Sequence, residues 1–354
     1  MAFHNTIKKS LLWDITRRCN LNCIHCYNSG NIASMQELEV GSNYKTIINR
    51  AVKVGINHIH LLGGEPLLAR GIFELLQYAK LCGVLVSINT NGTLLTEDLI
   101  NQLIAMQVCQ LTISLDGANS ITNDEVRGVG NFEKVIDNIK RTTSSIEQSA
   151  SSMIVQVATV ITRKNLLTIH KLPSLLNEIG VKHLDVLKLY ECGNAINNES
   201  ALCVTNEEYL NTISKILIES YRNQIYTQFD CKPKVLETIS QRFGFQIDNS
   251  KLEYASCSAG KKIIFMDYKG NIYPCGPYAY EFPNTKLSTS IFADNYIDDL
   301  KAMEKEIAKR IKNNSNKMKS ICINCHYENS CNGCAICYKS YEEMCKIADR
   351  LYLE

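Results

Sequence analysis

The stretch Leu11–Cys26, LLWDITRRCNLNCIHC, decides how the rest of this 354-residue chain is read. Its first six residues, rich in apolar and β-forming side chains, predict a strand over Leu11–Thr16. That strand runs into a loop carrying Cys19, Cys23 and Cys26, separated by three and then two residues. Three thiolates this close can each hold one iron of a [4Fe–4S] cube, which ordinarily takes four cysteines. The missing fourth ligand leaves one iron open to a chelating ligand. On spacing alone the trio also reads as an incomplete zinc site or as ordinary thiols.

Outward from this loop, short apolar runs alternate with helix-period segments through residue 225, the pattern of a mostly parallel sheet with helices outside it. Strands are expected at Leu11–Thr16, His58–Leu62, Val84–Thr90, Gln110–Leu115, Ile154–Ile161 and His183–Leu189. Helices are expected at Tyr44–Val54, Ile72–Leu81, Glu97–Met106, Phe132–Arg141, Thr168–Ile179 and Glu207–Arg222, with Gly180 as a C-cap and Thr142–Ser152 as a polar loop. Six such units make an α/β fold, a partial (β/α)6 TIM-like barrel spanning 1–225, whose active residues gather at the C-terminal ends of the strands. Residues 226–256 read as a bridging segment, and 257–354 as a small cysteine-rich domain that needs metal to fold.

Composition narrows the class. The hydrophobic share is 45% and the net charge +2, so no nucleic-acid or anionic-membrane partner is indicated. The basic run Lys305–Lys319 reads as a solvated helix end. The N-terminus has no signal-peptide core, and no apolar run reaches the ~20 residues of a membrane span. A cytoplasmic location follows, and there 16 cysteines point to metal rather than disulfides.

Two further motifs follow predicted strands. Gly63-Gly64-Glu65-Pro66 comes directly after the second; a glycine pair permits close backbone approach, and Glu65 can accept hydrogen bonds from an ammonium group. Ser87–Gly92 (SINTNG, with Asn89) ends the third strand, and Leu111–Gly117 (LTISLDG) ends the fourth, with Ser114 and Asp116 placed to bind ribose hydroxyls. At the other end of the chain, Cys257 and Cys275 bracket a β-hairpin turning at Lys269-Gly270. Cys322, Cys325, Cys331, Cys334, Cys337 and Cys345 follow it. Paired CxxC units of this kind bind zinc very commonly.

Taken together, these motifs closely resemble the radical SAM superfamily, and the C-terminal cysteines resemble its SPASM extension. The resemblance spans Leu11 to about Tyr352. It implies that Cys19, Cys23 and Cys26 hold the cluster that binds S-adenosylmethionine (SAM), with His25 against the adenine. It places Gly63, Gly64, Glu65 and Pro66 at the SAM amino group and Arg127, in the run Asn123, Asp124, Arg127, Gly128 and Phe132, at its carboxylate. It also implies two auxiliary [4Fe–4S] clusters: an outer one on Cys322, Cys325, Cys331 and Cys345, and an inner one on Cys257 and Cys275 with Cys334, Cys337 or both. The chain departs from the pattern after Cys257, where Ser258 to Ile263 carries no further cysteine, and in the spacing from Cys331 to Cys334.

The activity implied is reductive cleavage of SAM to a 5′-deoxyadenosyl radical that removes a hydrogen from a peptide or protein. The electron would come from a donor such as flavodoxin or ferredoxin. Thioether or carbon–carbon crosslinking of a ribosomally made peptide is the preferred expectation. Formylglycine formation is the alternative; those members carry an Asp directly after the hairpin's second cysteine, where this chain has Gly276, although Asp267 is available to substitute. Peptide epimerisation is another, with Cys192 as hydrogen donor. The better reading of that residue is an inert buried thiol, and the same holds for Cys82, Cys109, Cys203 and Cys231. A non-catalytic zinc or iron–sulfur scaffold is the reading from a different class. With 18 residues before Cys19, any leader peptide is expected to bind elsewhere on the chain, to a separate protein, or not at all.

Overall fold

The computed structural model describes residues 6–29, 40–244, 257–282, 285–317, 343–345 and 347. Its first half alternates strand and helix: β1 (Ser10–Thr16), α1 (Val40–Lys53), β2 (His58–Gly63), α2 (Ile72–Leu81), β3 (Leu85–Thr90), α3 (Glu97–Ala105) and β4 (Gln110–Ser114). Two helices then follow in succession, α4 (Ser120–Arg127) and α5 (Asn131–Ser149), before β5 (Ile154–Ile161), α6 (Leu172–Glu178) and β6 (His183–Lys188). Short α7 (Asn194–Asn197) and α8 (Glu199–Leu202) lead to α9 (Asn206–Arg222), β7 (Tyr226–Phe229) and α10 (Pro233–Arg242). The last described part holds β8 (Ile263–Met266), β9 (Asn271–Tyr273), α11 (Gly276–Glu281), β10 (Thr289–Ser290) and α12 (Tyr296–Lys317).

Among the described residues, ten strands form one sheet in the order β10-β9-β8-β1-β2-β3-β4-β5-β6-β7. Strands β1 to β7 run parallel, neighbour to neighbour. Strand β8 adds to the free edge of β1, also parallel, from Ser10↔Ile263 to Trp13↔Met266. The molecule is thus a partial β/α barrel whose first strand is paired on both sides.

Side chains alternate across each strand. Leu11, Trp13 and Ile15 of β1, Ile59 and Leu61 of β2, Val86 and Ile88 of β3, and Leu111 and Ile113 of β4 are buried in one continuous core with the helices. Most of the residues between them are polar and bond across the strands, Leu12, which packs on Phe265 and Tyr273, being an exception. His58 links Ser10 Oγ (Nδ1, 2.9 Å) to Ser87 Oγ (Nε2, 2.7 Å), His60 Nε2 meets Asn89 Oδ1 at 2.6 Å, and Gln110 bonds Gln156. Parallel sheets are ordinarily apolar on both faces, so this polar face is the lining of a barrel interior.

Four expectations need correction. The sheet has a seventh parallel strand, β7, followed by α10, where a bridging segment outside the barrel was expected; the rest of that segment, 245–256, lies outside the described residues. Helix α5 continues through the expected polar loop to Ser149. Its hydroxyls bond backward along the helix, Thr142 Oγ1 to Asn138 O (2.7 Å) and Ser149 Oγ to Ser145 O (2.7 Å), so polar composition there does not mean loop. Helix α4 was not anticipated; Asn119 caps it by accepting from Thr122 N at 3.0 Å. Finally, the helix expected over Thr168–Ile179 divides into a 3₁₀ turn, Ile169–Lys171, and α6. The run Lys305–Lys317 is helical as expected, and Arg310 in it bonds Glu306 and the Tyr278 hydroxyl. Among the described residues no helix is long and apolar enough to cross a membrane.

The C-terminal elements are also tied to α1. Arg50 Nη1 donates to Ile291 O and Ala293 O, both at 2.8 Å, and its guanidinium stacks 5.1 Å over Tyr296. Arg50→Ala should therefore speed amide hydrogen exchange across 289–296 by about tenfold or more, a local loss of ~1.4 kcal/mol. Exchange in α3 and α5 should not change.

Candidate active site

The loop after β1 is held from two sides. The segment after β6 reaches it through Asn194, whose N–H donates to Cys26 O at 2.9 Å and whose Nδ2 donates to Cys23 O at 3.0 Å. Asn198 Nδ2 donates to Ile24 O (3.3 Å), and Ile24 N donates to Val126 O of α4 (3.1 Å). On the β3 side, Asn91 Nδ2 reaches Cys19 Sγ (3.8 Å) and Asn20 Oδ1 (2.9 Å). Burial pushes the Cys23 thiol up to about 11, with Arg127 lowering it and Cys26 and Cys19 raising it. The three sulfurs are thus close enough to act on one another. No three His, Cys, Asp or Glu among the described residues converge on a single ion. Three thiols on one loop are the donor set that an iron–sulfur cluster with thiolate ligands takes.

Gly63 and Gly64 meet the base of this loop backbone to backbone. Gly64 N donates to Thr16 O and Glu65 N to Arg18 O, both at 2.7 Å. A Cβ on Gly63 would collide with Thr16 O, and one on Gly64 with Arg18 O. The close approach that the glycine pair permits is thus, first of all, an approach to the cysteine loop. Glu65 is fully buried and accepts from Thr90 Oγ1 (2.8 Å), Asn91 N (2.8 Å) and Leu67 N (3.2 Å), tying β2 to β3. Burial pushes its carboxyl up to about 7. Pro66, also buried, opens a 3₁₀ turn that Glu65 caps.

The structure joins three candidate residues directly. Asp116 Oδ2 lies 2.7 Å from Arg127 Nε and 3.1 Å from His25 Nε2, contacts set by charge rather than by aligned hydrogen bonds. Burial alone would raise the Asp116 carboxyl. The Arg127 charge and His25 outweigh it and hold the group well below the usual carboxylate range. Asp116 Oδ1 accepts from Val160 N at 2.7 Å, and Asn165 Nδ2 donates to Asp116 O at 2.9 Å. His25 Nδ1 is buried without a hydrogen-bond partner, an open donor or acceptor beside the cysteines. Asn123 Oδ1 accepts from Asp116 N, and Asp124 caps the start of α5 through Gly130 N and Phe132 N. Asn89 faces the barrel interior with His60, and Ser114 ends β4 half-buried.

A second buried carboxylate went unnoticed in the sequence. Asp14 accepts from Tyr27 Oη (3.1 Å) and from Tyr280 Oη on α11. The two rings meet edge to face at 5.0 Å. Cys192, half-buried, stands beside this group; burial pushes its thiol up to about 11, with Cys26 and Glu281 adding to the rise. Asp267 is occupied in the hairpin turn, accepting from Lys269 N, Asn271 N and Asn271 Nδ2. Cys257 and Cys275 flank that hairpin half-buried, and Cys345 is buried in the main core with its charge felt by Cys231. Cys322, Cys325, Cys331, Cys334 and Cys337 lie outside the described residues. Among residues missed in the sequence, Gly193, Asn194 and Asn198 carried no motif; the one signal for Asp14 was a charge inside an apolar strand.

A cysteine loop at the end of the first strand of a partial β/α barrel, closed over by glycines from the second, defines the class. Residues 13–160 match the Radical SAM superfamily model. The chain is 29% identical over 275 residues to the AdoMet-dependent heme synthase of Methanosarcina barkeri, covering 75% of this chain and 76% of that protein. It is 27% identical to the mycofactocin maturase MftC of Mycolicibacterium smegmatis, covering 76% of this chain and 64% of the maturase. Among solved structures, Streptococcus suis SuiB bound to precursor peptide SuiA shares the fold, with a TM-score of 0.62 at 17% identity, over 84% of this chain and 66% of that one. The chain is an enzyme whose residues 13–160 match the radical SAM superfamily. That superfamily works through a [4Fe–4S] cluster and SAM.

Two outcomes follow from this geometry. Asp116→Asn strands the buried Arg127 charge, so the variant should lose about 3–5 kcal/mol of stability, read by anaerobic calorimetry. Stability of the cluster-loaded, SAM-free enzyme should fall as pH rises from about 4 to 7. There folded Glu65 and Asp14, both near 7, keep protons that the unfolded chain has released. Glu65→Gln should remove part of that slope.

Proposed function

We propose that this enzyme oxidatively modifies a peptide, forming a thioether or carbon–carbon crosslink in a ribosomally made precursor. The observation that carries the reading is the pairing of β8 with β1: the hairpin flanked by Cys257 and Cys275 belongs to the same sheet as the Cys19–Cys26 loop. A second redox centre on that hairpin, on the sheet that carries the radical site, would suit a reaction that withdraws a second electron. Likeness to a mycofactocin maturase, and a fold shared with a peptide-bound enzyme, support a peptide as substrate.

In this reading Cys19, Cys23 and Cys26 hold the SAM-binding cluster. Cys257, Cys275 and the C-terminal cysteines through Cys345 hold two auxiliary ones. The cluster and SAM, when bound, supply a 5′-deoxyadenosyl radical that takes a hydrogen from the substrate. The chain's own residues orient and enclose. Gly63, Gly64 and Pro66 offer backbone at the SAM amino group, while Glu65 fixes that segment to β3. Asp116 holds Arg127 and His25 in place, leaving His25 Nδ1 for the nucleoside side. Asn89 and Ser114 line the interior toward the ribose. A flavodoxin- or ferredoxin-type donor would supply the electron, and a separate leader-binding protein is compatible with the chain. Cys192, its thiol kept protonated at neutral pH, carries the S–H that an epimerase would need.

A heme precursor is the second reading, favoured by the relative named as a heme synthase. The test is anaerobic co-expression with the short reading frames beside the gene, followed by mass spectrometry. Loss of two hydrogens supports crosslinking. An unchanged mass with solvent deuterium incorporated supports epimerisation, and conversion of an added heme precursor with no peptide change overturns the peptide reading. Cys23→Ala should abolish SAM cleavage; cleavage that persisted would refute the cluster assignment.

A further inference from the structure

We propose that Asp14 accepts the proton released in the oxidative step, receiving it through the hydroxyl of Tyr280. The proposal deepens the oxidative reading above and rests on it. Asp14 sits two residues from the end of β1, on the polar face of the strand, and is 2% exposed. Its carboxylate joins three segments that meet at the site. Tyr27 comes from the residue after Cys26, Tyr280 from α11, five residues past Cys275, and β1 itself carries the cysteine loop. Tyr280 is half-buried and stands near Cys192, which in turn is near Cys26, so its hydroxyl links Asp14 to the side of the cysteine loop.

A buried carboxylate costs free energy unless its charge is matched. The charged and titratable groups that face Asp14 are Tyr27, Tyr280, Asp267 of the hairpin turn and Arg17 at the end of β1. Arg17, the one cation, has the smallest influence of these; its Nη2 donates to Asn28 O at 2.8 Å and its guanidinium lies 5.5 Å over the Tyr268 ring. Burial and the neighbouring Asp267 carboxylate favour the protonated acid, while the two phenols, donating to the carboxylate, oppose them only in part. Burial, first of all, pushes the group up to about 7. The other acidic residue near the hairpin, Asp267, has its oxygens committed to the turn, and position 276 is glycine.

The step balances as follows. The substrate radical loses one electron to an oxidised iron–sulfur centre and one proton from an X–H bond, and a bond from X to the former radical carbon forms. That proton passes to Tyr280 Oη as the hydroxyl proton of Tyr280 passes to Asp14 Oδ2. Asp14 later releases it to solvent.

The test uses the cluster-loaded enzyme with SAM, dithionite and the peptide encoded beside its gene, and reads product formed per 5′-deoxyadenosine. Asp14→Asn and Tyr280→Phe should each lower that yield about tenfold or more, the equivalent of ~1.4 kcal/mol. The wild-type yield should rise with pH through about 7, where Asp14 becomes the carboxylate. Both variants should lose that dependence, and Asp14→Glu should restore part of it. Independently of turnover, difference infrared spectra of the loaded Glu65→Gln enzyme, which lacks the other carboxyl near 7, should show a protonated carboxyl band that disappears near pH 7, is missing when Asp14→Asn is added and is shifted by Tyr280→Phe. Iron content checks that each variant is assembled; Tyr280→Phe keeps the ring and serves if Asp14→Asn does not assemble. Wild-type turnover that leaves the peptide mass unchanged sinks the oxidative reading and the Asp14 role with it. Oxidation by the wild type with an unaltered yield in Asp14→Asn or Tyr280→Phe, or an infrared band that does not titrate, overturns the Asp14 role alone.

Discussion

Strand β1 is hydrogen-bonded on both edges, to β2 and to β8, and the rest of the site depends on that double pairing. A first strand with a free edge would leave the cysteine loop anchored from one side only. Here the loop leaves a strand fixed in the middle of a ten-stranded sheet. The glycines of the second strand press on its base, and α4 and the segment after β6 grip its backbone. Backbone hydrogen bonds do most of this work, which frees the cysteine side chains for other partners. Rigidity of this kind suits a site that must hold a reactive intermediate away from water.

The electrostatics divide into two buried carboxylates with opposite fates. Asp116 has Arg127 against it and stays ionised; it fixes the guanidinium and His25 in one arrangement. Asp14 has no cation hydrogen-bonded to it among the described residues, and burial, only partly offset by the two phenols, draws it toward the neutral acid near physiological pH. Two groups of the same chemistry thus serve as a fixed charge and as a titrating one, because their neighbours differ. Asp14 lies on the strand that carries the cysteine loop and Asp116 meets His25 of that loop, so the polar interior of the barrel is concentrated where chemistry is expected.

The sheet's core-facing residues were legible because alternation is a local property: Leu11, Trp13 and Ile15 announce their face to any reader of the sequence. The polar face was less legible, since His58, His60 and Asn89 look like surface residues until the strands are placed side by side. Polar composition misled at α5, where Thr142 and Ser149 satisfy their hydroxyls on the helix itself. At β7 four residues were too few to signal a strand; the edge of β6 recruited them.

By itself the sequence determined the parallel β/α architecture, the order of its motifs and the cysteine loop after the first strand. Strand periodicity and motif spacing are properties of neighbours in the chain. Only the tertiary structure decided that Asp116, Arg127 and His25 form one unit, that Gly64 serves the loop base, and that Asp14 meets a tyrosine 266 residues away. Such pairings depend on which strand edges meet, a choice made by burying the whole sheet at once and left unwritten in any local stretch of residues.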